Sequence, residues 1–413
     1  MDDRPRNLKA MLVEAKDTSE LMVDLAYTAL FFDDGDMADE VLDLEVEMST
    51  LVHDMRSVAV LAVRNPREAE AMSSVLQLIS AIERIANDAV DISKIVQREV
   101  GIPRQLVAEL ATAEEVSHRV VVSEGSHLAR RPLADVELPV QVGLRVVAIH
   151  RGSTWMIEID GETILQPGDV LFLRGARAGI ERLRALVNAP VWMPPRVDEP
   201  HALTELDRAV ETLVEMKNLS ETAVGLAYSS LVLRDLGLAG EVIQLEDRLD
   251  RMKDSLQTWV LRSAADDLDP SHLRGLLQLA EAAEDIGDQA QQMVWLVERK
   301  EELHPIIGLA LGDTDDVVVL VPVAAGSDAE GRSLRELDFS TEPGFHVLAI
   351  RRGGRYVYRP RGFVALAADD QLIASGPEEG TELLAARCGH RVVDDEDTGQ
   401  LRFLPLVGAV VDG

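Results

Sequence analysis

The sequence contains a single cysteine, few aromatic residues and no long apolar run. Cys388 has no partner for an intrachain disulfide, which fits a reducing cytoplasm. Aromatic residues make up only 4% of a chain that is 46% apolar, so its cores are built from Leu, Val, Ile and Ala, which suits helical packing. The longest apolar run, around 317–325, is strand-sized, whereas a membrane-spanning helix needs about 18 such residues or more. Since the charged segment Met1–Pro5 also lacks the apolar core of a signal peptide, we expect a cytoplasmic protein without direct membrane insertion.

Positive charge, and lysine above all, is also scarce. The sequence has 73 Asp and Glu residues against 41 Lys and Arg, a net charge of −32, and most of its basic residues are arginines. Such a charge repels nucleic acid and anionic membranes outside local basic patches, so we expect no nucleic-acid partner. Because the acids are spread along the chain, we favour an acidic protein adapted to a very salty cytoplasm, as in a halophilic archaeon. Ordinary acidity with a binding role is the alternative.

A long internal repeat is the clearest pattern in the sequence. The segment Gln77–Arg98 returns as Gln278–Arg299 with a shift of 201 and no gap. The same shift relates Gly143 to Gly344 in a different part of each half. A period of this length is far beyond a solenoid unit, so the sequence predicts a tandem duplication of a domain pair.

Each half begins with three predicted amphipathic helices. In the first half, the first helix covers residues 8–32, the second ends at Asn65-Pro66 and the third stops at Gly101-Ile102-Pro103. Apolar residues recur along these helices at steps of three and four, which places them on one stripe. Three such helices with short loops predict an antiparallel bundle.

The hydrophobic period then changes to that of short strands. Runs rich in β-branched and aromatic residues occupy 119–122, 144–149, 155–159 and 169–173, with turn-forming glycines between them. A helical turn at 132–136 and a closing helix at 178–187 complete a small α+β unit of about 75 residues, which the second half repeats.

The predicted fold class is therefore a multidomain α and α+β protein, in which two three-helix bundles alternate with two small α+β domains. A proline-rich linker separates the halves, and the tail, which has no counterpart, is expected to add an edge strand or to be mobile. The predicted boundaries are 1–105 and 201–306 for the bundles, 106–188 and 307–390 for the α+β domains, 189–200 for the linker and 391–413 for the tail.

Both kinds of domain resemble known families. The third helix of each bundle, with Ile82-Glu-Arg-Ile-Ala-Asn-Asp-Ala89 and Ala283-Glu-Asp-Ile-Gly-Asp-Gln-Ala290, resembles the PhoU domain. The α+β units, with Gly143-Leu-Arg-Val-Val-Ala-Ile-His-Arg151 and Gly344-Phe-His-Val-Leu-Ala-Ile-Arg-Arg352, resemble the C-terminal domain of the TrkA potassium-uptake subunit, also called the regulator of K⁺ conductance C-terminal domain. This alternation is similar to prokaryotic proteins that combine the two domains, and the resemblance implies regulation of ion transport.

Sequence signatures of catalysis and of nucleotide-binding folds are missing. The chain has no strand–Gly-x-Gly-x-x-Gly–helix unit, no Walker A loop, no Gly-x-Ser-x-Gly and no His-Glu-x-x-His. We therefore expect no enzymatic activity and no control through a Rossmann domain.

The PhoU resemblance implies a metal site. PhoU proteins bind metal clusters through Glu-x-x-x-Asp pairs, whose carboxylates face the same way on a helix. Glu284 and Asp288 keep such a pair, whereas in the first half Glu83 is followed by Asn87, with Asp88 beside it. The alternative is a solvated acidic face, because these positions lie nearly opposite the apolar stripe.

The TrkA resemblance implies a ligand site in the groove where two α+β domains pair. Two copies in one chain could form a pseudo-twofold dimer with one such groove, and relatives bind cyclic di-AMP or another nucleotide there. The positions that would supply positive charge, or an apolar surface for the bases of the ligand, are Arg145, His150, Arg151, His346, Arg351, Arg352 and Pro360. The family's ligand-contacting Leu-Arg reads Leu138-Pro139 and Phe339-Ser340 here. The two arginines at the strand ends, Arg151 and Arg352, are as readily solvated or ion-paired as ligand-binding.

These observations favour a cytoplasmic, ligand-sensing regulator of a membrane cation transporter, with potassium as the first candidate ion and magnesium as the second. The alternative is a PhoU-like phosphate-homeostasis adaptor that acts through metal-bearing bundles. The chain could also form a homodimer.

Overall fold

The computed structural model describes residues 7–152, 154–157, 159–195, 204–263, 270–299, 303–394 and 401–406. In chain order the first half comprises α1 (Leu8–Phe32), α2 (Gly35–Ala62), α3 (Pro66–Gln97), α4 (Arg104–Leu110), β1 (Glu115–Val121), α5 (Leu133–Val136), α6 (Leu138–Val142), β2 (Leu144–Arg151), β3 (Thr154–Met156), β4 (Val170–Ala176) and α7 (Ile180–Leu186). The second half comprises α8 (Glu205–Leu233), α9 (Leu236–Ser263), α10 (Pro270–Glu298), α11 (Pro305–Leu311), β5 (Asp316–Pro322), α12 (Leu334–Leu337), β6 (His346–Arg352), β7 (Arg355–Tyr358), β8 (Gln371–Pro377), α13 (Thr381–Arg387), β9 (His390–Asp394) and β10 (Leu401–Pro405).

The long helices begin where the sequence supplies caps. The Asn65 side chain accepts hydrogen bonds from the backbone amides of Arg67 and Glu68, and Pro66 occupies the first turn of α3, where no amide donor is needed. Thr204 and Asp207 form a reciprocal capping box at the start of α8. These local signals fix where α3 and α8 start before any packing is considered.

The two α+β domains, called lobe 1 (β1 to α7) and lobe 2 (β5 to α13), have the same antiparallel topology. The strand order is β1-β4-β2-β3 in lobe 1 and β5-β8-β6-β7 in lobe 2. In chain order, the first and fourth strands of each lobe begin at Glu115 and Val170 in lobe 1 and at Asp316 and Gln371 in lobe 2, a shift of 201 in both cases. The predicted duplication and fold class are therefore confirmed.

The six long helices share one hydrophobic core, and each lobe has a second core of its own. Helices α3 and α10 pack against each other and join the two bundles. One face of each sheet joins the shared core through Val147, Ala148 and Phe172 in lobe 1 and through Ala349 and Ile373 in lobe 2. Since burying a large apolar side chain stabilises by about 1.5–3 kcal/mol, this continuous core ties the lobes firmly to the bundles.

The connecting helices cross between halves. Helix α4, which leads into lobe 1, packs on α8 of the second bundle, and α11, which leads into lobe 2, packs on α1 of the first. The connecting helix of each half therefore packs against the bundle of the other half. In the tail, β9 and β10 form a separate two-stranded ribbon, so the expected extra strand is a hairpin rather than an edge strand of a lobe sheet. None of the described helices is long and apolar enough to cross a membrane.

Candidate functional site: a cavity where four domains meet

The two lobes contact each other across a pseudo-twofold axis. A Cβ added to Gly143 would lie 2.0 Å from the Ser340 carbonyl oxygen, and one added to Gly344 would lie 2.2 Å from the Pro139 carbonyl oxygen. Both glycines have positive φ, 64° and 87°. The positions that correspond to the Leu-Arg of the TrkA resemblance thus lie within the contact between the lobes.

A cavity of about 680 Å³ lies between this lobe pair and the bundles. Helices α1 and α8, both sheets and the segment 313–316 that leads into β5 form its walls. This volume is within the range of about 300–1,000 Å³ that is usual for small-molecule sites.

Two ion pairs that cross between the lobes lie at the cavity. Arg145 of lobe 1 lies 3.4 Å from Asp316 of lobe 2, and His346 of lobe 2 lies 3.4 Å from Glu115 of lobe 1. The two pairs are repeat counterparts, because 145 and 346 differ by 201, as do 115 and 316. The structure thus brings together two of the seven residues predicted to bind a ligand, Arg145 and His346.

Two buried lysines occupy equivalent positions on α1 and α8. Lys16 pairs with Glu20 at 2.8 Å and Lys217 pairs with Glu221 at 2.6 Å, in both cases one helical turn apart. Each ammonium also lies 5.4 Å from the centroid of a tyrosine ring on the other bundle. Burial alone would lower the pKa of Lys16, but the nearby carboxylates of Glu20, Asp316 and Asp17 outweigh it and raise that pKa. Lys16 therefore remains charged beneath the cavity.

Arg174 breaks the symmetry of this arrangement. Its buried guanidinium lies 2.5 Å from Asp24 of α1, donates a hydrogen bond to Glu221 of α8 and lies 3.9 Å from Glu115. It thus joins lobe 1 to both bundles. Its repeat counterpart is Ser375, and the counterpart of Asp24 is Gly225, so the second half has no such ion pair.

Carboxylates around the cavity have shifted pKa values. Burial raises the pKa of Asp24 to about 6, although Arg174 and Arg145 oppose the rise. Burial also raises the pKa of Asp17, nearby on α1, to about 7 against the opposing charge of Lys16. For Glu115, burial acts in the same direction, but His346, Lys217 and Arg174 outweigh it and lower its pKa to about 2.

The two strand-end arginines are structural. Arg151 forms a bidentate ion pair with buried Asp169, and Arg352 forms an equivalent bidentate pair with buried Asp370. Each aspartate also accepts a backbone hydrogen bond, from Gln166 or Ala367, three residues earlier. These contacts favour the ion-paired alternative for both arginines.

The remaining predicted ligand residues lie apart from the cavity. His150 packs against Trp155, with ring centroids 4.8 Å apart. Arg351 donates a hydrogen bond to Gln371 and lies 3.9 Å from Asp235, the residue before α9. Pro360 is half-buried in the turn that follows β7.

One of the four predicted metal residues, Glu284, belongs to an acidic cluster on α10. Oxygens of Glu281, Glu284 and Asp285 lie within 4.8 Å of one another. Glu284 is buried and pairs with Lys253 at 2.5 Å, so the expected solvated face does not hold for this residue, because α9 and α3 pack beside it. Burial raises the pKa of Glu284 to about 7, and burial together with Asp250 raises that of Glu246 to about 7.

The other three predicted metal residues are Asp288 in the second bundle and Glu83 and Asp88 in the first. Burial raises the pKa of Asp288, and Asp250 raises it further. In the first bundle, Glu83 pairs with Arg56 at 2.6 Å, and burial raises the pKa of Asp88 to about 8. Ser80 and Arg84 stand where the second bundle has Glu281 and Asp285, so the first bundle lacks an equivalent carboxylate cluster.

Sequence reasoning missed Lys16, Asp24, Arg174 and Glu221. Three of them lie within predicted helices and Arg174 directly follows the predicted strand 169–173, and a charge at such positions is usually solvated. One signal could have found two of them: Asp24 and Arg174 are charged positions whose repeat counterparts are neutral, which marks where the two halves have diverged.

Models of two protein families match the chain. The PhoU domain model matches residues 12–96 and 213–297, and the TrkA-C domain model matches residues 118–188 and 318–389. No curated protein matches the chain.

Several solved structures are similar at low identity. PhoU from Pseudomonas aeruginosa has 15% identity and a TM-score of 0.38, with 70% of this chain and 93% of that chain covered. PhoU from Streptococcus pneumoniae, described as a phosphate transport system regulatory protein, has 11% identity and a TM-score of 0.39, with 72% and 96% covered. The RCK domain of GsuK has 13% identity and a TM-score of 0.18, with 76% and 78% covered.

Proposed function

We propose that this chain, in which two PhoU domains alternate with two TrkA-C domains, regulates a membrane cation transporter by binding a ligand in the central cavity. The two domain families point to a regulatory protein linked to phosphate or potassium transport. Within that class we favour potassium, with magnesium second. The protein acts as a sensor in the cytoplasm, without catalysis of its own.

The observation that carries this proposal is that one cavity touches both bundles and both lobes. Arg174 joins lobe 1 to α1 and α8, and Arg145 joins lobe 1 to lobe 2, all within the same cavity wall. A ligand that alters these contacts must change the free energy of one arrangement of the domains relative to another. The cavity is therefore well placed to couple ligand binding to domain orientation.

The bundles offer the surface that would contact the transporter. Helix α2 packs on α1 and α3 of its own bundle, and Val46, Val60 and Leu61 on it are exposed. A transporter that contacts such an outer helix would respond to a shift of the bundle relative to the lobes. Ligand binding in the cavity does not require a transporter to be bound to this surface.

Uptake measurements in cells test the proposal. We expect deletion of the gene to change the initial rate of rubidium uptake, a tracer of potassium transport, and the unchanged gene to restore it. Arg145→Ala, which removes the ion pair with Asp316 at the cavity, is expected to restore less than half of the change. Arg332→Ala, which removes an exposed pair with Asp328, is the matched control and is expected to restore the rate fully. Unchanged uptake of rubidium and magnesium after deletion would refute the proposal.

The second candidate is a phosphate-homeostasis adaptor. It is favoured by the carboxylates of Glu281, Glu284 and Asp285, which suit a hard divalent cation once the Lys253 ammonium is displaced. In the uptake experiment this candidate predicts altered phosphate uptake with unchanged rubidium uptake. It also predicts that manganese or iron raises the melting temperature of the protein and that Glu284→Gln abolishes the rise.

A cyclic dinucleotide belongs in the same ligand screen. The TrkA resemblance suggests cyclic di-AMP, but the residues at the lobe contact are Pro139 and Ser340, and carboxylates dominate the cavity wall. Of the predicted ligand residues, we propose Arg145 and His346 as those that face the ligand, and we assign Arg151 and Arg352 to the structure of the lobes.

A further inference from the structure

We propose that the outer face of α2 binds an amphipathic helix whose apolar stripe is flanked by lysine and arginine side chains, as a cytoplasmic segment of the transporter would supply. The inference rests on the proposed function and names the chemistry of its partner. Three observations support it: an uncharged stripe on α2, a row of acids beside that stripe, and the absence of both from α9, the counterpart of α2.

An uncharged stripe follows the exposed side of α2. It recurs at steps of three and four residues, which places its members on one line along the helix. All of them are exposed, and this neutral stripe comprises Val46, Ser49, Thr50, His53, Ser57 and Val60. At 1.5 Å per residue the stripe is about 21 Å long. In a chain of which 28% is charged, an exposed helix face of this length without Asp, Glu, Lys or Arg indicates a contact surface.

The shape of the neutral stripe suits another helix. A shallow groove of about 390 Å³ lies along its first two turns, next to Val46 and His53. Val46 and Val60 are 65% and 68% exposed, and Leu61, beside the end of the stripe, is 83% exposed. The small side chains between the two valines let a second helix approach closely, and the valines offer apolar anchors at both ends.

A row of acids runs along one side of the neutral stripe. Asp43, Glu47 and Asp54 lie about 60–100° around the helix from Val46, and all three are exposed. None of them forms an ion pair within the part of the chain that the structure describes. Arg56 is the only lysine or arginine of α2, and it already pairs with Glu83 at 2.6 Å. A second copy of α2 therefore has no basic group to offer these acids, whereas a basic helix complements them.

Helix α9 shows that the fold itself requires neither feature. It packs on α8 and α10 as α2 packs on α1 and α3. The shift of 201 replaces the neutral stripe by a mostly charged set, Asp247, Asp250, Arg251, Asp254, Thr258 and Leu261. The same shift replaces the row of acids by Gln244, Arg248 and Ser255. Because both helices have the same place in their bundles, the difference between their exposed faces points to a contact that α2 makes and α9 does not.

The cytoplasmic side of a membrane protein supplies the matching chemistry. Cytoplasmic loops carry an excess of lysine and arginine close to the ends of their transmembrane helices. An amphipathic helix from such a loop would place its apolar residues on the neutral stripe and its basic residues against Asp43, Glu47 and Asp54. The acids favour encounter with such a helix, and burial of the exposed valines holds it in place.

Fluorescence anisotropy with two labelled peptides of about 18 residues tests the proposal on the full chain, in about 0.3 M potassium chloride to screen non-specific attraction. One designed peptide has leucines on one helix face and lysines and arginines on both sides of it, and the other has the same composition in a scrambled order. We expect only the amphipathic peptide to bind saturably. Val46→Asp, which copies Asp247 of α9, is expected to weaken that binding about fivefold or more, although it adds negative charge. Val191→Asp makes the same change at a residue outside α2 that is 76% exposed, and it should leave the affinity unchanged.

Three results would overturn the proposal. Equal binding of the two peptides, or equal affinity of the wild type and Val46→Asp, would mean that the peptide is held by negative charge alone. A dimer in sedimentation velocity that Val46→Asp dissociates would assign the neutral stripe to a second copy of the chain. If circular dichroism shows that Val46→Asp does not fold, Val60→Asp takes its place with the same expected loss of affinity.

The rubidium-uptake test of the proposed function stays separate from this one. Arg145→Ala acts at the cavity, far along the chain from α2. If the amphipathic peptide fails to bind while gene deletion and Arg145→Ala still alter uptake, the proposed function stands and the contact with the transporter lies outside α2.

Discussion

Asp88 lies in the middle of α3 with its carboxylate almost fully shielded from solvent. It is 9% exposed, and one of its oxygens has no hydrogen-bond partner within the described residues. Burial first, and then repulsion from Asp285 and Asp91, raises its pKa to about 8. Neutral Asp88 is compatible with the helix contact, whereas ionised Asp88 opposes it.

Replacing Asp88 should therefore change how stability depends on pH. The folded pKa of about 8 exceeds the unfolded value near 3.9, so the folded state holds a proton that the unfolded state has lost between about pH 4 and pH 8. Across that window this group makes the free energy of unfolding fall as pH rises. Asp88→Asn is expected to stabilise the protein at pH 8 by about 1 kcal/mol or more and to have little effect at pH 5.

Urea denaturation at pH 5 and pH 8 measures the effect. Asp54→Asn, which changes an exposed aspartate of α2, is the control and should shift the free energy of unfolding by less than about 0.5 kcal/mol at either pH. If Asp88→Asn destabilised the protein equally at both pH values, the carboxylate would have to be ionised and paired in the folded state.

Single residues also show what the sequence could and could not predict. Arg151 and Arg352 were expected to be ligand-binding, solvated or ion-paired, and the paired alternative could have been preferred, because Asp169 and Asp370 follow each at the same spacing of 18. For Arg174 the sequence shows only a neutral repeat counterpart, Ser375, which marks divergence but names no partner. Its acids lie on α1, β1 and α8, so its role depends on packing between domains that are distant in sequence.

Among the elements, the turns before β2 and β6 bring the lobes into contact. Gly143 has φ of 64° and a neighbouring carbonyl where a Cβ would lie, whereas Gly152, with φ of 65°, has nothing within 4 Å of that point. A comparison of substitutions at the two glycines therefore distinguishes the effect of backbone strain from that of steric contact. Both Gly143→Ala and Gly152→Ala should cost about 1 kcal/mol for the left-handed backbone.

Only Gly143→Ala should also push the lobes apart. We expect it to lower the melting temperature by several degrees more than Gly152→Ala, since about 1 kcal/mol corresponds to roughly 2–4 °C in proteins of 150–250 residues. Small-angle X-ray scattering should show a larger radius of gyration for Gly143→Ala alone. Identical behaviour of the two variants would mean that the lobes are not held together at this glycine.

The elements themselves were predictable to different degrees. Three amphipathic helices and a β-rich unit followed from hydrophobic period, because each element has its own apolar pattern. The burial of Glu284 did not follow, since the pattern of α10 shows the stripe that faces its own bundle but not that α3 of the other bundle packs alongside. A helix with two partners looks like a helix with one when only the strongest stripe is read.

At the scale of the whole molecule, duplication followed by divergence explains why the two sides of the central cavity differ. The halves keep the paired lysines and the crossed ion pairs of the lobes, but only the first half keeps an arginine between the lobe and the bundles. The repeat was visible in the sequence at a constant shift of 201. The cavity was not, because it depends on how the halves pack on each other.

The net charge of −32 makes a prediction for the entire chain. Charge repulsion across the surface is screened over about 10 Å at 0.1 M salt and about 3 Å at 1 M, whereas buried pairs such as Arg174–Asp24 are screened far less. Raising potassium chloride from 0.1 M to 2 M should therefore relieve repulsion without breaking the pairs around the cavity. We expect the melting temperature to rise by about 2–4 °C for each kcal/mol gained.

A second salt distinguishes screening from specific binding. Tetramethylammonium chloride at the same ionic strength screens surface charge, but its bulky cation, shielded by methyl groups, is a poor ligand for a site where carboxylate oxygens would coordinate potassium. If both salts raise the melting temperature smoothly over the whole range, the acidity is an adaptation to salt. If potassium chloride alone acts, and saturates at low concentration, the charge serves a binding site instead. A melting temperature that falls or stays constant in both salts would mean that the acids are already compensated in the folded chain, which 73 acidic against 41 basic residues makes hard to achieve.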